Sequence, residues 1–197
     1  MDKKVYVFDF DGTLTTRDTL LLFIRYSKGE WTFWLGMLLF APLLVLMKLH
    51  VLNNGQVKER VFRHFFRGMT EKEFNTWCEL FAEDFAHILR PKGIQTLRQV
   101  LDGGHPVYIV SASIDRWVAP LLEAPKKGGI IGTEIEVKDG RLTGRFATPN
   151  CYGEEKVRRL RTLIPDLSDY YIIAFGDSQG DKALFRIADE THYKPFR

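Results

Sequence analysis

Four apolar residues, Val5 to Phe8, run without a break into Asp9-Phe10-Asp11-Gly12-Thr13, and no other junction in the chain constrains its fold as much. A short β-branched and aromatic run ending in an acidic, glycine-containing turn reads as a buried strand that delivers a loop at its carboxyl end. The chain beyond residue 90 repeats the pattern. Pro91 suits the first turn of a helix running to Leu101, Gly103-Gly104 stops it, and Val107 to Val110 forms a second buried strand. A loop over Ser111 to Ser113 and a helix over Trp117 to Glu123 come next. Ile130 to Val137 and Arg141 to Phe146, joined by Asp139-Gly140, are predicted as a hairpin with a two-residue turn. A helix from Gly153 to Leu163, a strand from Tyr171 to Phe175, a loop from Gly176 to Gly180, and a short helix and strand after it complete the series. This alternation predicts an α/β fold built on a parallel sheet, with ligands at the carboxyl ends of its strands.

Residues 14–89 interrupt that pattern with a stretch that reads as almost wholly helical. Leu20, Leu21, Phe23 and Ile24 begin it, Asn53-Asn54-Gly55 forms a turn, and Thr70-x-x-Glu73 is a capping box. The expected organisation is therefore a core of residues 1–13 and 90–197 with a helical insertion of residues 14–89. Within the insertion, the seventeen residues from Trp31 to Met47 carry no charge and are bounded by Glu30 and Lys48. That length touches the lower limit for a membrane span. Pro42 is expected to divide the run into a helical hairpin. Such a hairpin is buried in the insertion, buried in a homodimer, or laid in a membrane interface through residues 31–52, with Trp31 and Trp34 at one end and Lys48 and His50 at the other. On a helix from Val57 to Met69, Val57, Val61, Phe62, Phe65 and Phe66 form an apolar stripe, and Arg60, Arg63 and Arg67 line another face.

Composition removes several classes. With 45% hydrophobic and 27% charged residues, the chain is neither disordered nor a polytopic membrane protein. A net charge of only +3 gives no field that would favour nucleic acid. Cys78 and Cys151 stand far apart with no metal-ligand neighbours, and Val5 to Phe8 is too short for a signal peptide, so a cytoplasmic protein is expected, with the inner face of the membrane as an added location.

Candidate chemical groups fall where strands end or helices begin. Asp9 and Asp11, one residue apart after a strand, can point to one side, the first to bind a metal or attack an electrophile and the second to move a proton. A calcium loop would need its glycine at the sixth position, whereas Gly12 is the fourth residue from Asp9. Ser111 offers a hydroxyl and neighbouring backbone N–H groups to an anion, although a serine there is also a plain turn former. Lys156 falls in the first turn of a helix, where a cation opposes the helix dipole and so suggests an anionic ligand; a solvated lysine beside Arg158 and Arg159 is the alternative. Asp177 and Asp181, four apart in Gly176-Asp177-Ser178-Gln179-Gly180-Asp181, can complete a hard-cation site with Asp9, or else cap a helix.

Taken in chain order, Asp-x-Asp-Gly-Thr, Ser, Lys and Gly-Asp-x-x-x-Asp resemble the signature of the haloacid dehalogenase superfamily, and the whole chain resembles its phosphoserine-phosphatase-like branch, subfamily IB. The resemblance implies a Rossmann-like core with a helical cap of the C1 type. It implies that Asp9 is a nucleophile that becomes an aspartyl phosphate, that Asp11 is the general acid and then base, and that Ser111, the N–H of Ala112 and Lys156 grip the phosphoryl oxygens. Mg²⁺ is implied as cofactor, held by Asp9, the carbonyl of Asp11, Asp177 and Asp181. Two positions bear on substrate: Asp18 stands where phosphoserine phosphatases have a Glu for the ammonium group, and Arg60 stands near their carboxylate-binding Arg. Asp18 is shorter than that Glu, Ser111-Ala112-Ser113 replaces Ser-Gly-Gly, and Gly180 replaces Asn. These departures, with Arg25-Tyr26, the apolar run near Leu38 to Leu46, and Cys151 to Val157, resemble bacterial phosphatidylglycerophosphate phosphatases.

The expectation is thus a Mg²⁺-dependent phosphomonoester hydrolase whose partner is a phosphorylated small molecule or a lipid phosphate. The competing expectation is a membrane-associated or dimeric interaction module with a slow or vestigial core.

Overall fold

The computed structural model describes residues 3–49 and 51–197; the Met1-Asp2 start and His50 lie outside the described residues. Its strands are β1 (Lys3–Phe8), β2 (Val107–Ile114), β3 (Gly128–Thr133), β4 (Ile135–Lys138), β5 (Arg141–Phe146), β6 (Tyr170–Gly176) and β7 (Glu190–Tyr193). Five of them form a parallel sheet in the order β3-β2-β1-β6-β7. Placing β1 at the centre explains its composition: Val5, Val7 and Phe8 have no exposure, because helices cover both faces of the sheet.

One face packs Val5, Val7, Val110 and Ile131 against α7 (Glu154–Leu163) and α8 (Lys182–Ile187) through Val157, Leu160, Ala183 and Leu184. The other packs Phe8, Ile109 and Ile173 into a larger core with Leu97 and Val100 of α5 (Pro91–Asp102). The order reverses on either side of β1, so the loops after β1, β2 and β6 converge at one crevice.

Four helices precede α5 in the stretch between β1 and β2: α1 (Thr19–Lys28), α2 (Glu30–Lys48), α3 (Asn54–Phe66) and α4 (Glu71–Phe85). Phe23, Phe62, Phe66, Phe74 and Phe81, all without exposure, make their shared core. Phe23 stacks on Trp117 of α6 (Asp115–Val118) with centroids 4.8 Å apart, which ties this core to the sheet. Each such ring contributes roughly 1.5–3 kcal/mol by leaving water. The chain enters and leaves the insertion through adjacent segments: Arg90 N donates to Leu14 O at 2.7 Å and Thr16 N to Ile88 O at 2.9 Å.

Sequence expectations and structure differ at four places. β2 runs through Ser111 to Ile114 instead of ending at Val110, with an irregular register against β3 between Val110 and Ile114, so the serine loop is an extension of the strand. Ile130 to Val137 is not one strand. It breaks at Glu134, so that its first part joins the parallel sheet while β4 and β5 form the hairpin, whose turn at Asp139 and Gly140 has φ of 50° and 71°. That hairpin docks on the insertion, with Phe146 N donating to Glu59 and Gly68 N to Leu142 O. The helix over Trp117 to Glu123 shrinks to α6 and one 3₁₀ turn at Ala119–Leu121, since Pro120 lacks a donor to extend it. Finally, Pro42 does not divide the apolar run. α2 is one helix of 19 residues in which Pro42 sits on the exposed side, and the long leucine-rich flanks outweigh the single lost hydrogen bond.

Candidate active site

Asp9 is the first residue beyond β1, and its N–H donates to Phe175 O at 2.8 Å, which extends the sheet by one bond and fixes the side chain above the crevice. Its carboxylate is almost fully enclosed. Oδ1 accepts from Lys156 Nζ at 2.5 Å and Oδ2 from Thr13 Oγ1 at 2.9 Å. Lys156 is the third residue of α7, and it reaches back through the buried interior to bridge Asp9 and Asp181, whose Oδ1 lies 2.7 Å from Nζ. Burial by itself would lower the lysine pKa, but the two carboxylates overcome it and hold the ammonium charged above its ordinary range. Burial pushes Asp9 up to about 7; Lys156 opposes that shift and Asp181 adds to it. Asp181 is held below its ordinary value: burial raises it, and Lys156 outweighs the burial.

Asp181 also builds the loop that carries Asp177. Its Oδ2 accepts from Asp177 N at 3.1 Å, Ser178 N at 3.0 Å and Ser178 Oγ at 2.9 Å, closing a capping box. Carboxylate oxygens of Asp9, Asp177 and Asp181 all lie within 4.8 Å of one another. Gly12 shapes this cluster from the opposite side. Its φ is +80°, and a Cβ there would stand 2.4 Å from Asp177 Oδ2. Three oxygen-donor acids converging in a partly buried pocket suit a hard divalent cation such as Mg²⁺.

Asp11 is held from two sides. Thr19 N donates to Oδ1 at 2.9 Å, and the Ser113 hydroxyl donates to Oδ2. Thr19 Oγ1 in turn contacts Ser113 Oγ at 3.1 Å and accepts from Trp117 Nε1 at 3.1 Å. Burial, followed by the charge of Asp18, raises Asp11 to about 6, against the two hydrogen bonds, which lower it. A carboxyl with that affinity exchanges its proton near neutrality, as a general acid and base must. Ser111 is buried, its Oγ accepting from Ser113 N at 3.0 Å, which leaves its hydroxyl proton to donate.

Asp9, Asp11, Ser111, Ala112, Lys156 and Asp177 line one cavity of about 470 Å³, with Asp181 behind Lys156. Asp18 lies at its rim, and its Oδ1 caps α1 by accepting from Leu20 N at 3.0 Å. Arg60 does not belong to it: the side chain is exposed on α3, and Lys58 of the same helix lines the cavity instead. Arg25 and Tyr26 face Glu30 and Asp84, at 2.5 Å each, and do not line the cavity either. Sequence reading also missed Ser113, Thr19, Tyr152 and Arg197, whose guanidinium lies 2.5 Å from Asp177 Oδ2. Only Ser113 carried a usable signal, since it lies two residues after Ser111, on the same side of an extended strand.

The cavity does not end at these groups. Met47, Asn54 and Tyr152 line it and also line a neighbouring groove of about 940 Å³ between the end of α2, the start of α3 and residues 148–150.

Comparison with known proteins agrees with this geometry. The sequence model for haloacid dehalogenase-like hydrolases matches residues 6–186. The chain is 37% identical over 194 residues to protein CicA of Caulobacter vibrioides, covering 96% of this chain and 85% of that one. Among solved structures, a protein of unknown function from Bordetella pertussis Tohama I superposes with a TM-score of 0.83 at 23% identity, over 97% of this chain and 89% of that one. A substrate-bound phosphoserine phosphatase superposes with a TM-score of 0.67 at 18% identity, over 97% and 85% of the two chains. With a family match that spans nearly the whole sequence and a fold shared with these structures, the chain belongs to the haloacid dehalogenase-like hydrolases.

Proposed function

We propose that the protein is a Mg²⁺-dependent phosphomonoester hydrolase that works through an aspartyl phosphate on Asp9. The observation that carries this reading is the placement of Asp9 and Asp11 in one cavity with Lys156 and Ser111. A carboxylate oxygen of Asp9 attacks phosphorus, and the ester oxygen leaves with the proton of Asp11 as an alcohol. Asp11, now ionised, takes a proton from water as that water attacks the aspartyl phosphate, which returns Asp9 and releases phosphate. Lys156 and the Ser111 hydroxyl, with the N–H of Ala112, balance the phosphoryl oxygens through both steps. Mg²⁺ would be held by Asp9, Asp177, Asp181 and the carbonyl of Asp11, and would supply further positive charge to the site.

The substrate is a phosphorylated metabolite or lipid phosphate with a sizeable leaving group. Support comes from the groove beyond Met47 and Tyr152, and from Asn54 at their junction, whose buried Oδ1 has no hydrogen-bond partner. Asp18 is engaged as a helix cap, which argues against an ammonium site for phosphoserine. Release of phosphate from an aryl phosphate tests the chemistry: Asp9→Asn should abolish it, and unchanged turnover would sink the mechanism. Comparing phosphoserine with phosphatidylglycerophosphate in detergent micelles tests the substrate, and a preference for phosphoserine would overturn the larger leaving group.

A further inference from the structure

α2 is apolar all round, yet the protein covers only one side of it. Phe33 and Gly36 are buried against the insertion, and Gly36 lies so close to α3 that a Cβ would stand 2.2 Å from Phe65 Cζ. The opposite side is bare: Trp31 is 85% exposed and Leu38 74%, with Trp34, Leu39, Val45 and Leu49 also exposed. At 100° per residue these positions fall on a single face, which extends for about 27 Å along the helix. A contiguous apolar strip of this length left to water marks an interaction surface.

Three observations identify what covers it. First, α3 lies against the middle of α2, where His64 meets Phe40 with ring centroids 5.3 Å apart. Arg60 and Arg67, four residues before and three after His64, share its side of α3 and are exposed. A helix that crossed a bilayer would carry these cations into hydrocarbon, so α2 can lie only along the surface. Second, among the described residues no carboxylate pairs with Lys28, Lys48, Arg60, Arg63 or Arg67. These cations stand on the elements beside the strip and at its end, where anionic head groups complement them. Third, tryptophans gather at one end of the strip and Lys48 stands at the other, the arrangement of side chains that settle at the boundary of head groups and acyl chains.

We propose that the outer face of α2 docks the protein on an anionic phospholipid bilayer, with the cationic side of α3 over the head groups. Leu44 and Met47, on the inner side of the same helix, wall the groove that joins the cavity of Asp9, so docking brings that groove to about one helix diameter from the lipid surface.

Co-sedimentation with phosphatidylcholine vesicles, with and without phosphatidylglycerol, tests this in the full chain. Binding should be at least about tenfold stronger to the anionic vesicles, with a blue shift of tryptophan emission. The double variant Leu38→Glu, Leu39→Glu should lose binding by more than about tenfold, keep its circular dichroism spectrum, and hydrolyse an aryl phosphate as the parent does. Arg60→Glu with Arg67→Glu should lower binding to anionic vesicles toward the neutral level. Absence of vesicle binding by the parent, or binding indifferent to Leu38→Glu, Leu39→Glu, overturns the proposal. So does a dimer in sedimentation velocity that this variant dissociates while vesicles bind neither protein, because the face then belongs to a second copy. Loss of aryl phosphate hydrolysis by Asp9→Asn is read separately and bears on the catalytic reading alone.

Discussion

Lys156 Nζ and Asp9 Oδ1 lie 2.5 Å apart with side chains 2% and 8% exposed, although 147 positions separate them in sequence. The ammonium also holds Asp181 at 2.7 Å, so one buried cation balances two buried acids. Removing it leaves both uncompensated, which in a buried pair costs about 3–5 kcal/mol. Lys156→Met should therefore be destabilised by that order in urea unfolding at pH 8 without divalent metal, and should release no phosphate. Part of the cost returns as Asp9 takes up a proton. A loss below about 1 kcal/mol would mean that the pair is not closed in solution.

Asp11 gives the opposite sign. Burial and Asp18 raise it from an ordinary 3.8 to about 6. Between those values the folded chain holds a proton that the unfolded chain has released, so stability falls as pH rises through that window. The charged carboxylate then costs about 2–3 kcal/mol at pH 7. Asp11→Asn keeps an acceptor for Thr19 N and offers an amide to Ser113, so it should be more stable than the parent by this amount at pH 7 in EDTA. The gain should vanish near pH 4. Urea midpoints across that range check it, and a gain independent of pH would assign the effect to packing instead.

How far the sequence disclosed this structure depends on the range of the interaction concerned. The convergence of Asp9, Asp11, Ser111, Lys156, Asp177 and Asp181 was legible because each lies near the carboxyl end of a strand or the start of a helix, and parallel topology gathers such ends at one crevice. Thr19 and Arg197 were not, because their roles rest on contacts made 8 and 20 positions away by ordinary surface-type residues, and Ser113 was signalled only by its place two residues after Ser111. Arg60 misled for a local reason: on α3 the arginine phase turns outward, and Lys58, 200° away around the helix at 100° per residue, faces the cavity. The split of Ile130 to Val137 was equally hidden, since a run of β-branched residues that alternates with Thr133, Glu134 and Glu136 does not record that its halves pair with different strands.

Gly12 links backbone and site. A φ of +80° disfavours any side chain, and the Cβ of alanine would press to 2.4 Å from Asp177 Oδ2. Gly12→Ala should cost about 1–3 kcal/mol in stability. It should also displace the carboxylate that, with Asp9 and Asp181, is proposed to hold Mg²⁺. In the parent, EDTA should abolish phosphate release and Mg²⁺ should restore it while raising Tm. In Gly12→Ala the Mg²⁺-dependent rise should shrink by half or more, and a full rise would show that Asp177 does not contribute to the metal.

Ser113 is placed to act through Asp11 without touching substrate: its hydroxyl donates to Oδ2, and Thr19 Oγ1 steadies it at 3.1 Å with Trp117 Nε1 behind. This bond favours the ionised carboxylate and so lowers an affinity that burial has raised. Ser113→Ala removes the donor, and the pKa of Asp11 should climb above about 6 by roughly one unit. Because the proposed phosphorylation step needs Asp11 protonated, the high-pH limb of kcat/KM should move to higher pH by the same amount. The low-pH limb of kcat, which needs Asp11 ionised, should move the same way, and kcat at pH 6 should fall while KM changes little. Ser113→Thr restores the hydroxyl and should return both limbs. If Ser113→Ala lowers activity equally at every pH, the hydroxyl serves only to pack β2 against α1, and the positioning role is lost.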